Sequence, residues 1–383
     1  MEFKHSKSEL EHLRGLPMRE KVKLSRERIR EWYEYWQGQV YVGYSGGKDS
    51  TVLLHMVRQM YPDVPAVFSN TGLEFPEVRQ FATDMPGVEV IRPEQTFVEI
   101  VREEGYPLIS KAVASKIKYS RKFDMDGRVR LYLVDAPPVM HRDGTMGASM
   151  YDKRRWRPLA EEAPFKISDR CCRLMKKSPM AEYEKRTHRH AYIGTMTGEG
   201  KLRERAWLMN GCNAFDASPR ISTPLAFWTD NDILEYIHAL QSPISPFYGD
   251  IVQESSGFHT TGADRTGCAF CGFGAHLEKS HRYLQMAETH PKLYHYCIEG
   301  GEWVDNPEYD PAIPEYARDG FKNWNPVRLW QPSNKGLGLG FVFEFINTLY
   351  RREMIPWITD ELEEAVLAGI IREVAAFHLN ERA

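Results

Sequence analysis

No apolar stretch in this 383-residue chain approaches the roughly 20 residues needed to cross a bilayer. Its opening, MEFKHSKSELEH, is polar and lacks the apolar centre of a secretory signal. Both absences point to a cytoplasmic protein with no membrane partner. An excess of one charge is lacking too, since the formal net charge is only −3. Cysteine is sparse: Cys171, Cys172, Cys212, Cys268, Cys271 and Cys297 are the six present. In a reducing cytoplasm an adjacent pair plus a C-x-x-C suggests a metal centre rather than a disulfide framework. No internal repeat is evident.

What is there centres on residues 40–51, Val-Tyr-Val-Gly-Tyr-Ser-Gly-Gly-Lys-Asp-Ser-Thr. They read as a short buried strand, a glycine-rich turn and the start of a helix, whose apolar positions Val52, Leu53, Met56, Val57 and Met60 recur at helical spacing. The turn is neither a G-x-G-x-x-G fingerprint nor a G-x-x-x-x-G-K-[ST] P-loop. It still has the makings of a phosphate cradle. Glycines remove the β-carbons that block close backbone approach, and the helix N-terminus turns amides and partial positive charge toward an anion. Ser45, Gly46, Gly47, Lys48, Asp49 and Ser50 are the expected phosphate site, with Lys48, Asp49 and Ser50 as its catalytic members.

Strands are expected over residues 64–72 and 88–92, each followed by a helix, the second over 96–104 with Thr96 as N-cap. A further strand near residues 192–196, a helix over 198–213 and another helix capped by Thr229 continue the alternation. Strands alternating with helices imply an α/β fold with a doubly wound parallel sheet, and such sheets bind ligands at the carboxyl ends of their strands. Asn70, Thr71, Gly72 and Glu74 then share a rim with the 45–50 loop, near the adenosine. Residues 1–37 form an N-terminal helical segment and 38–285 the nucleotide-binding domain. A C-terminal helical and irregular extension covers 286–383, closing on an amphipathic helix over 359–380. The glycines at 336–340 suit a tight packing turn rather than the contact with a ligand that they would also allow.

Residues 105–165 lose periodicity and read as a basic insertion. Residues 111–190 hold 20 Lys and Arg against 10 Asp and Glu. Lys116, Lys118, Arg121, Lys122, Lys153, Arg154, Arg155 and Arg157, interleaved with Tyr119, Phe123, Tyr151 and Trp156, suit a nucleic-acid acceptor, tRNA or DNA. A solvated insertion closing over a small anionic nucleotide explains them equally well.

Cys268 and Cys271 place two thiolates in one turn framed by Gly267, Gly272 and Gly274. With Cys171 and Cys172 they make four soft ligands, which leaves tetrahedral zinc and a 4Fe-4S cluster both open. Adjacent cysteines point to opposite faces of an extended chain, so both reach one centre only if the backbone there is helical or turned. Otherwise Cys212 is the natural substitute ligand.

Taken in order, these motifs resemble the phosphoadenosine phosphosulfate (PAPS) reductase family of the PP-loop ATP-pyrophosphatase superfamily. They are Ser-Gly-Gly-Lys-Asp-Ser at 45–50, Asn-Thr-Gly-Leu-Glu-Phe-Pro-Glu at 70–77, Cys-Cys-Arg-Leu-Met-Lys-Lys-Ser-Pro at 171–179, residues 194–203, Pro-Leu-Ala-Phe-Trp-Thr at 224–229, and Arg-Thr-Gly-Cys-Ala-Phe-Cys at 265–271. The likeness is greatest to the cluster-bearing, adenylyl-sulfate-reductase-like and mobile-element branches. It implies an adenine-nucleotide alpha hydrolase-like fold, a 4Fe-4S cluster tuned by Lys176, and Arg203 and Arg265 as anion-binding residues. Two departures stand out. The family's reductases usually carry a degraded loop, whereas Ser-Gly-Gly-Lys-Asp-Ser is intact here, and no Glu-Cys-Gly tail follows Cys297. The intact loop implies ATP and Mg2+ as cofactors, and an AMP- and pyrophosphate-forming adenylation in sulfur transfer or thiolation. The alternatives are a thiol-dependent reductase of adenylyl sulfate or PAPS, with Cys297 or an external thiol attacking sulfur, and a non-catalytic nucleotide-binding module.

Overall fold

The structure is a computed structural model and describes residues 3–122, 133, 137–141, 144–149, 152–278, 281–312, 324–351 and 354–357. The chain forms two compact units that interleave along the sequence: Met1–Thr96 with Arg173–Ala269, and Phe97–Cys172 with Phe270–Ala383. The sequence reading instead divides the chain in order.

The first unit is built on a five-stranded parallel sheet of β1 (Val40–Tyr44), β2 (Ala66–Ser69), β3 (Val88–Ile91), β4 (His190–Ile193) and β5 (Ile221–Ser222), in the spatial order β3-β2-β1-β4-β5. Its helices are α1 (Lys7–Arg14), α2 (Met18–Tyr35), α3 (Lys48–Met60), α4 (Pro76–Asp84), α5 (Ser178–Thr187), α6 (Lys201–Asn210) and α7 (Asp230–Leu240). In β1 the side chains alternate, as the two-residue period of a strand requires. Val40, Val42 and Tyr44 enter a core with Ile29 and Trp32 of α2, Val52 and Met56 of α3, and Ile233 of α7. Tyr41 faces the other way and packs with Val67, Ala191 and Tyr183 of α5. Both faces of β1 are therefore covered, which explains its nearly continuous apolar sequence. Each fully buried Val or Leu in these layers contributes roughly 1.5–3 kcal/mol. The expected doubly wound α/β sheet is what the chain forms.

A cap fixes the start of α7. Thr229 Oγ1 accepts the Asp232 N–H at 3.2 Å while Asp232 Oδ2 accepts the Thr229 N–H at 2.7 Å, a reciprocal box that starts α7. Asp232 also holds Lys21 Nζ of α2 at 2.6 Å, in a pair that is almost wholly buried.

In the second unit Leu108–Ile109 pairs in parallel with Gly272–Phe273, and Glu302–Asp305 pairs antiparallel with Arg328–Gln331. The 105–165 stretch is more regular than its sequence suggests. Lys116, Lys118 and Arg121 lie on a helix, Lys111–Lys122. Its buried residues Val113, Ala114, Ile117 and Ser120 follow helical spacing, masked in sequence by the polar residues between them. The 336–340 glycines pack tightly, as expected: a β-carbon on Gly336 would lie 2.6 Å from the Glu299 carbonyl, and one on Gly340 2.9 Å from Ile298 Cγ2. Among the described residues, no helix is long and apolar enough to cross a membrane. The expected helix over 359–380 lies outside the described residues.

Candidate nucleotide site and cysteine residues

The 45–50 loop joins β1 to α3 at the carboxyl end of the central strand. Gly46 has φ +73°, and a β-carbon there would stand 2.8 Å from the Val78 carbonyl of α4, so both backbone conformation and packing require glycine. The loop ties itself together with hydroxyls. The Ser45 N–H donates to Ser50 Oγ at 3.2 Å, Ser50 Oγ donates to the Gly47 carbonyl at 2.9 Å, and the Gly47 N–H donates to Ser45 Oγ at 3.3 Å. Gly194, just past β4, lets the start of α3 come close: a β-carbon there would lie 3.0 Å from the Asp49 carbonyl.

Lys48 is the buried charge of the site. Its Nζ lies 2.8 Å from Asp230 Oδ1 and 3.1 Å from Asp49 Oδ1. Burial opposes its charge, but the two carboxylates outweigh that and raise the ammonium above the ordinary lysine value. Burial pushes the Asp49 carboxyl up as well, only partly offset by Lys48. The Lys48 N–H donates to the hydroxyl of Tyr248 at 3.0 Å.

On the neighbouring strand end, Glu74 closes the 70–74 turn by accepting from the Thr71 hydroxyl at 2.6 Å and the Thr71 N–H at 3.2 Å. The Gly72 N–H donates to Asn70 Oδ1, and Gly72, at φ +73°, has open space where a β-carbon would stand. The structure thus puts Asn70, Thr71, Gly72 and Glu74 at the carboxyl end of β2, next to β1. Ser69 Oγ donates to the Met175 carbonyl at 2.9 Å, which anchors the π-helical turn Arg173–Lys177 and with it Lys176. Arg203 is ion-paired with Glu199 on the same surface, and Arg265 is exposed in the segment that leads to Cys268.

Cys171 and Cys172 begin a helical turn that runs into Arg173–Lys177. The backbone there has the curvature that two adjacent ligands of one centre need. Cys268 belongs to the first unit, where the next residue, Ala269, donates its N–H to the Leu73 carbonyl at 2.7 Å. Cys171, Cys172 and Cys271 belong to the second. Within neither unit do three or more His, Cys, Asp or Glu side chains among the described residues stand together as a metal cage. Cys271 is half-buried, and its backbone is held from α-helical Arg282–Thr289. Arg282 Nη1 donates to the Cys271 carbonyl at 2.8 Å. The Tyr283 hydroxyl is buried with no hydrogen-bond partner, and burial, then the Cys297 and Cys271 thiols, push it well above its usual value. Cys212 sits elsewhere, in a cavity of about 220 Å³ with Trp207, Phe227 and Arg28. Cys297 is fully buried, and burial holds its thiol protonated.

A model of the phosphoadenosine phosphosulfate reductase domain matches residues 39–111 and 141–271, more than half of the chain. The chain belongs to this family. The match takes in the 45–50 loop, the 70–74 turn, Cys171, Cys172, Cys268 and Cys271, and omits 112–140. The family is one of nucleotide-binding, sulfonucleotide-related enzymes. Over 289 residues the chain is 21% identical to an uncharacterized protein of Methanocaldococcus jannaschii, covering 72% of this chain and 50% of that one. Over 79 residues it is 34% identical to the phosphoadenosine 5'-phosphosulfate reductase of Serratia proteamaculans, covering 19% of this chain and 32% of that enzyme. The chain thus spans half the length or less of these relatives. Among solved structures it is similar to a phosphoadenylyl-sulfate reductase of Candida auris in a phosphate complex, at 14% identity and a TM-score of 0.33, covering 64% of this chain and 92% of that one.

Three residues that pack on the 45–50 loop escaped the sequence reading: Asp230, which pairs with Lys48, and Tyr248 and Thr266, whose hydroxyls stand against Gly47. Asp230 is visible in sequence only as an acid in the first turn of a helix. Thr266 lies inside the Arg-Thr-Gly-Cys motif, where the cysteine draws the attention. Tyr248 carries no sequence signal, because only the fold brings it 200 positions back to the loop.

Proposed function

We propose that this PAPS reductase family chain is an ATP-dependent adenylating enzyme that works in sulfur transfer. The observation that carries the reading is the intact 45–50 loop, with Lys48 and Asp49 both present and the hydroxyls of Ser45 and Ser50 turned into it. In this reading the loop and the N-terminus of α3 bind the ATP phosphates, and Asn70, Thr71, Gly72 and Glu74 flank the adenosine. Bound Mg2+ would supply charge neutralisation at the phosphates, with Asp49 as its nearest carboxylate. Lys48, released from Asp230, would balance charge on the departing pyrophosphate. An acceptor oxygen forms a bond to the α-phosphorus, the bond from that phosphorus to the α,β-bridging oxygen breaks, pyrophosphate leaves, and the acceptor's proton passes to solvent. The adenylated acceptor is then open to attack by a sulfur nucleophile, with loss of AMP.

Cys171, Cys172, Cys268 and Cys271 are the proposed holders of a 4Fe-4S cluster. Four thiolates are a donor set for such a cluster, and the helical turn at Cys171 supports it. Such a cluster supplies electron transfer or sulfur binding when present. Lys176 is proposed to tune it, and Arg203 and Arg265 to meet anionic substrate.

The named Serratia relative favours a second reading, reduction of adenylyl sulfate or PAPS to sulfite. The buried, protonated Cys297 is a poor nucleophile, so that reaction would need an external thiol. A polynucleotide acceptor has less support. Arg121 is half-buried and bonded to backbone carbonyls, Lys118 is paired with Glu104, Arg154 with Asp152 and Arg157 with Glu161, so these cations are already engaged. The deciding experiment incubates anaerobically purified protein with ATP and Mg2+ and analyses products. Pyrophosphate and AMP are expected. Thiol-dependent sulfite from adenylyl sulfate would replace this reading with the second, and neither product would reduce the chain to a nucleotide-binding module.

A further inference from the structure

Both ends of Lys48 are held by groups from outside the 45–50 loop. Its backbone N–H, the first donor of α3, goes to the hydroxyl of Tyr248 at 3.0 Å, and its ammonium goes to Asp230 Oδ1 at 2.8 Å. Within the loop the Ser45 N–H donates to Ser50 Oγ and the Gly47 N–H to Ser45 Oγ. An anion approaching the N-terminus of α3 therefore meets donors that already have acceptors. The oxygen standing on the first helical N–H is Tyr248 Oη.

The fold seats that oxygen deliberately. Tyr248 is 1% exposed and ends a short helical turn, Pro246–Tyr248, capped by Ser245. The Gly262 N–H donates back to the Tyr248 carbonyl at 2.9 Å, and Phe247 stacks on Phe75 with ring centroids 4.3 Å apart. Glycine at position 47 is what lets the hydroxyl so close. A β-carbon there would lie 2.9 Å from Thr266 Oγ1, 3.2 Å from Ser45 Oγ and 3.3 Å from Tyr248 Oη, each tighter than ordinary contact. Protein hydroxyls thus pack directly on the loop at Gly47. Tyr248 donates onward to Thr266 Oγ1 at 3.4 Å, well beyond the roughly 2.7–2.8 Å of a good O–H···O bond, so Lys48 is the stronger of its two partners.

We propose that Tyr248 is an internal competitor for phosphate: its hydroxyl oxygen stands on the Lys48 N–H where an anion's oxygen would bind, and phosphate reaches the N-terminus of α3 only as that oxygen withdraws. This rests on the reading of the 45–50 loop as a nucleotide site and adds a threshold to it. A charged oxygen is a better acceptor than a neutral hydroxyl. A phosphate that also draws the Lys48 ammonium and the loop hydroxyls displaces Tyr248, whereas an ion that makes one contact gains little by the exchange. The device selects ligands that make several contacts at once.

The test is calorimetric titration of the full chain with inorganic pyrophosphate and, separately, with adenosine, in magnesium-free buffer, for wild type and Tyr248→Phe. Phenylalanine leaves the Lys48 N–H without its acceptor, and a ligand that supplies one recovers the loss. Pyrophosphate is expected to bind Tyr248→Phe on the order of tenfold more tightly than wild type. Adenosine, which has no phosphate, binds both proteins alike. Pyrophosphate affinity that is unchanged or weaker in Tyr248→Phe, or an equal gain for adenosine, overturns the proposal and leaves the nucleotide site standing. If neither protein binds ATP or pyrophosphate, the proposal and the nucleotide reading fall together. If Tyr248→Phe fails to fold, Thr266→Ala carries the comparison, because it removes the acceptor of the Tyr248 proton and frees the tyrosine to withdraw. Pyrophosphate should then bind about two- to threefold more tightly than to wild type, and no gain there overturns the proposal.

Discussion

Lys48 Nζ lies 2.8 Å from Asp230 Oδ1, so the lysine of the candidate phosphate loop is already neutralised by a carboxylate from the first turn of another helix. The lysine is buried and the aspartate is 74% exposed, which keeps the interaction modest. A phosphate must compete for that ammonium. Asp230→Asn is therefore expected to tighten pyrophosphate binding about two- to fivefold in magnesium-free buffer. Titration of the variant against wild type checks this, and weaker binding would mean that Asp230 itself serves the ligand.

Lys21 and Asp232 form the opposite case, an ion pair whose side chains are 3% and 10% exposed. Asp232 also caps α7. Removing one partner strands a buried charge, so Asp232→Ala is expected to cost about 3–5 kcal/mol. The double change Lys21→Met with Asp232→Ala should cost less than the sum of the single changes. Urea unfolding of the four proteins gives the coupling directly.

Arg121 donates to the carbonyls of Leu159, Ala160, Ala163 and Phe165 and lies 4.0 Å over the Trp324 ring. It closes the end of the Arg157–Glu162 helix, a structural duty that a planar fork performs and an ammonium does not. Arg121→Lys should lower stability by about 2 kcal/mol or more. The same change should leave the salt dependence of any polynucleotide binding where it was, which a filter-binding series over ionic strength would measure.

Cys212 offers a pH test. Burial raises its thiol from 9.0 to about 11 in the folded chain, with a smaller opposing influence of Trp207 and Arg28. A raised folded value means that the unfolded chain loses this proton first. The stability linked to it is thus complete below pH 9 and drains away as pH rises toward 11. Two pH units correspond to about 2–3 kcal/mol. Wild type should lose that much more stability than Cys212→Ala between pH 9 and 11, measured by denaturant midpoints at several pH values. Equal losses would refute the assignment.

The sheet and the loop were legible because their signals are local. A β-turn-α junction with two glycines announces itself within twelve residues, and Thr229 announces its helix through the acid three positions on. The Lys111–Lys122 helix was missed because its apolar stripe is short and crowded by lysines, although Val113 and Ile117 stand at i, i+4. Tyr248, Thr266 and Asp230 could not be read as site residues, since their roles arise only when distant segments meet. The duty of Arg121 was hidden for a similar reason: arginine in a basic run reads as surface until its carbonyl partners are in place.

The strand order has a consequence for synthesis. The central strand β1 takes β2 as one neighbour soon after it is made, but its other neighbour is His190–Ile193, about 150 residues later. While the ribosome builds the stretch between them, the backbone donors and acceptors on that edge of β1 have no sheet partner, and the strand's apolar side chains are incompletely covered. A nascent chain stalled or cut before residue 190 is therefore a sticky intermediate. The cell must either finish this protein quickly or shield its most apolar strand until the distant partner arrives.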